Sequence, residues 1–276
     1  MIRLLEIEAI KLWNSKISRV LIISYFALLI SIALISAIKF DIGPIEFHLA
    51  DQGIFNFPYI WHFNSYVAAL FKLFLAIVIV SMMSNEYSNK TLKQNLIDGL
   101  SKKEFVLSKF LTVVVFAGVS TVFIFVVSMI LGLAFSDYDE IGIIFSDLEF
   151  LIAFFVKLMG FFSFCLFLGV LVKRSAFALG FLILWQVFEG ILYLFIRSRS
   201  DSSLAEGISR FFPLDSMSNL IKEPFTRLGA VKSVASQLGE ELARDYAVHW
   251  YEILIVLAWT FAFVYFSYLL LKKRDL

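Results

Sequence analysis

The chain has 276 residues, 60% of them hydrophobic, with a mean hydropathy of +0.86, far above the roughly 45 to 50% apolar usage of soluble domains. That excludes a single water-soluble globule, because the 32 phenylalanines, mostly inside long apolar runs, need lipid or neighbouring helices to cover them. A net charge of +1 gives no electrostatic footprint for nucleic acid, and a single cysteine, Cys165, excludes an intramolecular disulfide and reads as a packed thiol.

Residues 1–19 place Ile2, Leu5, Ala9, Leu12 and Trp13 on one helical face and Arg3, Lys11, Asn14 and Ser18 opposite, with Glu6 and Lys16 at the boundary. This pattern predicts a helix lying flat at the inner membrane surface. The apolar run that follows exceeds a signal-peptide core, so the lead reads as retained. Six segments then satisfy the requirement of about 20 apolar residues for a membrane crossing: 20–38, 65–83, 110–135, 150–172, 176–196 and 252–271. Pro44, Pro58, Pro213 and Pro224 all fall outside them, which predicts six unbroken helices. The whole chain, 1–276, reads as one all-α polytopic membrane domain.

Between spans two and three, Leu92, Leu96 and Ile97 sit at helical spacing and Gly99 follows where a left-handed C-terminal cap falls. Ser101 followed by Glu104 has the pattern of a capping box, which starts a second helix running into span three. A helix, a turn and a new helix make a compact knob, more structured than a tether requires. Between spans five and six, Phe211, Phe212, Leu214, Met217, Leu220 and Ile221 predict one short helix, and Val231, Val234, Leu238 and Leu242 a longer one.

Orientation follows from lysine and arginine placement. Arg3, Lys11, Lys16, Arg19, Lys90, Lys93, Lys102, Lys103, Lys109, Lys173, Arg174, Lys272, Lys273 and Arg274 flank one set of span ends, whereas the short connections 39–64 and 136–149 hold only Lys39 beside eight carboxylates. The first set, with both termini and the knob, is expected in the cytoplasm. The segment 197–251 is then external despite its seven basic residues, since long loops obey the rule weakly. Trp61, Tyr66, Trp250 and Tyr251 are expected at the outer headgroup level and Trp13 at the inner.

Lys72, Lys157 and Glu189 lie within apolar spans, each about 10 Å deep from the outer side at 1.5 Å per residue. Charges at such depth need partners, so Glu189 is expected to pair with Lys157, Lys72 or both, as a structural tie or as a polar lining of a substrate path. His48, His62 and His249 map outside without metal-site spacing and read as surface residues. No serine–histidine–aspartate order, HExxH helix or catalytic carboxylate pair stands out, so the chain does not read as an enzyme. Gly160, Gly169 and Gly180 are candidates for close helix contact.

From Glu86 and Tyr87 through the run NKTLKQNLIDGLSKKEFVLSKFL, which ends at Leu111, the sequence resembles the type-two permease subunits of ABC exporters, whose fold is the type V exporter fold. The layout of interfacial helix, six spans, helical loop after span two and external helices before span six is shared along the chain. The resemblance implies that the loop is a coupling helix docking on a separate ATPase dimer, with Glu86, Tyr87, Lys90, Thr91, Leu92, Lys93, Asn95 and Leu96 facing that partner. It also implies a second permease, identical or homologous, with the export path between the two, in a lipid-embedded assembly of the cell inner membrane. The chain has no G-x-x-x-x-G-K-[ST] phosphate loop, so ATP and Mg belong to the partner and no cofactor is expected here. A different class of function, a scaffold that recruits a cytoplasmic factor through the same knob without transport, uses the same features.

Overall fold

The structure is a computed structural model, and it describes residues 2–38, 40–42, 45–47, 53–227, 231 and 245–274. In chain order these form α1 (Ile2–Asn14), α2 (Lys16–Ala37), the short antiparallel strands β1 (Phe40–Ile42) and β2 (Ile45–Phe47), α3 (Tyr59–Leu70), α4 (Lys72–Ser88), α5 (Thr91–Ile97), α6 (Lys102–Phe135), α7 (Ile141–Ile144), α8 (Glu149–Val172), α9 (Ser175–Arg199), α10 (Ser202–Ser209), α11 (Pro213–Asn219), a 3-10 turn at Phe225–Arg227, and α12 (Trp250–Lys273). Among the described residues, α2, α6, the run Ile141–Val172 that contains α7 and α8, α9 and α12 are each long and apolar enough to cross a membrane, and α3 with α4 makes a sixth candidate if the bent pair is one span.

That bent pair departs from the unbroken span expected at 65–83. The helix begins at Tyr59 and turns by 46° at Phe71. Phe71 (φ −89°, ψ 2°) ends α3 by donating to Ala68 and begins α4 by accepting from Phe74, so a tight turn breaks the helix where no proline stands.

The central element is α8, which is buried along most of its length and packs on α3, α4, α6, α9, α11 and α12. Small residues set how closely it is approached. A Cβ on Gly160 would lie 2.7 Å from Val256 of α12, and one on Gly169 would lie 2.9 Å from the Met83 side chain of α4; Gly180 meets nothing within 4 Å. Peripheral α2 and α9 instead bury few of their residues, and Ile23, Leu34, Ile183, Leu184 and Ile191 are among the apolar side chains they expose.

Contacts divide the bundle into two ends. At one, Lys102 Nζ donates to the carbonyls of Lys272 (3.5 Å) and Arg274 (3.0 Å), and the Arg274 guanidinium donates to the carbonyls of Val170 and Leu171 and to the Tyr87 hydroxyl. The start of α6, the end of α12 and the ends of α4 and α8 therefore gather together. At the other end, Tyr59 donates to the carbonyl of Pro224 (2.8 Å), Asn56 to Asp137 (2.9 Å), and the Trp61 indole to the carbonyl of Ile144 (2.8 Å). Trp61 is fully buried and stacked on Phe125, not at a headgroup surface, because its only polar atom finds a protein carbonyl. His62 is likewise buried, stacked on Phe150 and bonded to the Lys222 carbonyl and to Arg227. His48 and, apart from Val231, the helix expected at 231–242 lie outside the described residues.

Candidate functional site

The knob has the local structure its residues dictate. Gly99 takes φ +98° directly after α5, and its amide donates to Leu96, closing the helix in the left-handed region. Ser101 Oγ accepts from the Glu104 amide (3.2 Å) while Glu104 Oε2 accepts from the Ser101 amide (3.0 Å), the reciprocal box that launches α6. At 34 residues α6 is unbroken, which makes it about 50 Å long. A bilayer core needs only about 30 Å, so α6 is longer than a crossing requires, and its first turn carries the knob.

Beneath α5 lies a buried ionic node. Lys109 Nζ of α6 is 2.6 Å from Glu8 Oε2 of α1 and 2.6 Å from Glu86 Oε1 of α4. Lys11 adds contacts of 2.9 Å to Glu86 and 3.3 Å to Glu8, and Thr91 of α5 donates to Glu86 Oε2 at 2.6 Å. Lys109, Glu86 and Glu8 are all nearly sealed from solvent, with side-chain exposures of 1%, 3% and 6%. Two carboxylates and two ammonium groups neutralise one another, and four helices meet at the cluster. Burial works to lower the Lys11 pKa, but its hydrogen bond to Glu86 and the fields of both carboxylates outweigh that, so the net direction is up from 10.5. Breaking a buried pair on one side leaves an uncompensated charge, which costs about 3–5 kcal/mol.

Of the residues assigned to the partner surface by resemblance, Lys90 and Lys93 are exposed, and Tyr87, Thr91, Asn95 and Leu96 are half-buried. Glu86 and Leu92 turn into the protein instead. Glu86 does so because Lys109 waits inside, and Leu92 because it is the apolar residue at the start of α5 that faces the bundle. The tip of the knob is Ile97, 75% exposed between Gln94 and Asp98, which are also exposed. Sequence reasoning missed Ile97 as a surface residue, missed Glu8 altogether, and took Lys109 and Arg274 for flanking cations without their buried partners. Helical spacing carried a signal for two of them. Phe105, Lys109, Thr112 and Val113 share the buried face of α6, and Glu8 stands one turn from Leu12 on the buried face of α1. The opposite side of α1 exposes Ile10 and Trp13, with Ile17 continuing the stripe into α2, so the apolar face predicted for residues 1–19 is rotated toward the surface.

The intramembrane charges are arranged differently from the ion pair expected. Glu189 accepts from the amides of Leu214 (3.1 Å) and Asp215 (3.0 Å) and from the Trp185 indole (2.6 Å). Lys157 donates to the carbonyls of Ser218 (3.2 Å) and Ile221 (3.4 Å). Helix α11 is thus interposed, with the carboxylate at its N-terminus and the ammonium at its C-terminal end, each where the backbone has unpaired groups of opposite polarity. Pro213 opens this helix at its first position, where a missing amide costs nothing. Leu214, Met217, Leu220 and Ile221 are buried against the bundle. Lys72 lies over the Phe161 ring, 4.3 Å from its centroid.

A predominantly helical bundle with, among the described residues, five long apolar helices and a bent pair that makes a sixth candidate span, exposed apolar flanks and a structured polar knob at its basic end defines a multi-pass membrane protein. Residues 15–276 match the family described as ABC-2 family transporter protein, and the chain belongs to that family. No curated protein matches the sequence. Membership makes the chain a permease component of an ABC transporter and implies association with an ABC ATPase.

Proposed function

We infer that the chain is an exporter permease that works as a dimer, with both termini and the knob in the cytoplasm, and that a separate ATPase pair drives it by gripping α5. The observation that carries this reading is the node. Glu86, Thr91, Lys109 and Glu8 join α5 to α4, α6 and α1, so a force on the knob moves three further helices as one body. Arg274 extends the connection through Tyr87 and the end of α8 to the last span. The exposed residues Lys90, Lys93 and Ile97 make the contact, and the buried residues beneath them transmit it. ATP and Mg are held by the partner, the export path runs between two permeases, and the exposed apolar faces of α2 and α9 meet lipid or the second copy. Basic residues gathered at the knob end support the cytoplasmic placement, and Ile10, Trp13 and Ile17 suit α1 to the inner membrane surface.

The test is copurification from native membrane with an ATPase whose hydrolysis responds to the permease. Ile97→Asp and Lys93→Glu are expected to abolish that response while the permease stays folded. Recovery of the permease with a cytoplasmic protein that is not an ATPase would favour the scaffold instead.

A further inference from the structure

A second site lies at the opposite end of the bundle from the knob. A cavity of about 330 Å³ opens beside the break between α3 and α4, and Lys72 and Lys157 both line it. That volume is within the range of small-molecule sites. The wall opposite is the chain just after α11, where Lys222 and Glu223 form the rim. Those two are already engaged. Lys222 donates to the Asp245 carbonyl (2.7 Å), and Glu223 accepts from the Thr226 hydroxyl (2.9 Å). Lys157 spends two donors on backbone carbonyls, and Lys72 has an aromatic ring as its neighbour. Among the described residues neither ammonium has a carboxylate within ion-pair distance. Three lysines, Lys72, Lys157 and Lys222, thus line one space of mixed polar and apolar walls against the single carboxylate of Glu223, which is engaged elsewhere, so the cavity carries an excess of positive charge.

We propose that this cavity binds a phosphate-bearing anion, the headgroup of an anionic phospholipid or a free phosphate. The phosphate oxygens accept from Lys72 and from the remaining donor of Lys157, replacing mutual repulsion with two charge-assisted hydrogen bonds. Leu70, which lines the mouth and is 56% exposed on the apolar perimeter, offers a surface for an acyl chain, so a lipid enters from the side with its headgroup leading. The 46° bend at Phe71 lies at the opening, with Leu70 and Lys72 on either side of it both lining the cavity. The site needs no ATPase and stands apart from the node.

The experiment is native mass spectrometry of the purified chain in detergent, with phosphatidylglycerol and phosphatidylcholine of matched chains, each with and without inorganic phosphate. One phosphatidylglycerol retained per chain in preference to phosphatidylcholine is expected, with retention reduced about tenfold by Lys72→Gln and by Lys157→Gln and unchanged by Lys16→Gln. Lys72→Gln removes no hydrogen bond from the fold, so its loss of binding reports on the site and not on unfolding. Retention that inorganic phosphate leaves intact identifies the lipid as the source, and displacement by inorganic phosphate identifies the free anion. Equal retention of the two lipids, or phosphatidylglycerol binding unaffected by both cavity variants, would overturn the proposal.

Discussion

Glu189 and Lys157 hold opposite ends of one seven-residue helix: the carboxylate accepts from amides at the start of α11, and the ammonium donates to carbonyls at and beyond its end. Placing either charge at the centre of a span costs roughly 2.5–3.5 kcal/mol on insertion scales. Binding to unpaired backbone groups offsets that cost and anchors the chain between spans five and six in the bundle.

Glu189→Gln keeps one acceptor oxygen but loses the charge and is expected to cost about 1.5–3 kcal/mol. Hydrogen exchange at Leu214 and Asp215 should accelerate while exchange along α8 stays slow. Unchanged protection at those two amides would show that the carboxylate does not hold the helix.

Lys109→Met leaves Glu8 and Glu86 with only the partly exposed Lys11 as a shared cation and should destabilise the chain by about 3–5 kcal/mol. Adding Glu86→Gln to Lys109→Met should cost less than the two single losses combined, because the second change removes a charge that the first had stranded. Thermal unfolding in detergent, followed by tryptophan fluorescence, reads the four corners of this cycle. Strict additivity would contradict a coupled node.

Leucine at Gly160 must displace Val256, and leucine at Gly169 must displace Met83, so each should lower stability by about 1–3 kcal/mol through overpacking. Leucine at Gly180 meets open space and should be tolerated. Size-exclusion profiles of the three variants after heating would separate them.

Much of this architecture was legible because its causes are local. Span length depends on the thickness of the bilayer, and the Gly99 cap and the Ser101–Glu104 box are complete within a few residues. What escaped the sequence depends on distant partners. Trp61 reads as an interfacial aromatic until Ile144 accepts its N–H, and Lys109 reads as one more flanking cation until Glu8, a hundred residues earlier, meets it. The break at Phe71 escaped because the expectation of a straight span rested on missing prolines, and a tight turn needs none. Pairing of Glu189 with Lys157, Lys72 or both was expected from their equal depth, which hydropathy reveals, whereas the insertion of α11 between Glu189 and Lys157 is a tertiary choice that hydropathy does not encode.

The central claim is that the knob is the handle by which an ATPase moves the permease. A photo-crosslinking residue placed at Ile97 in living cells tests it most directly, because that side chain is 75% exposed at the knob and its replacement leaves the buried residues beneath it in place. The account predicts an adduct with an ABC ATPase subunit from Ile97, and none from Val119 midway along α6. An Ile97 position that forms no such adduct, or that reacts with a membrane-impermeant reagent added outside the cell, would contradict it.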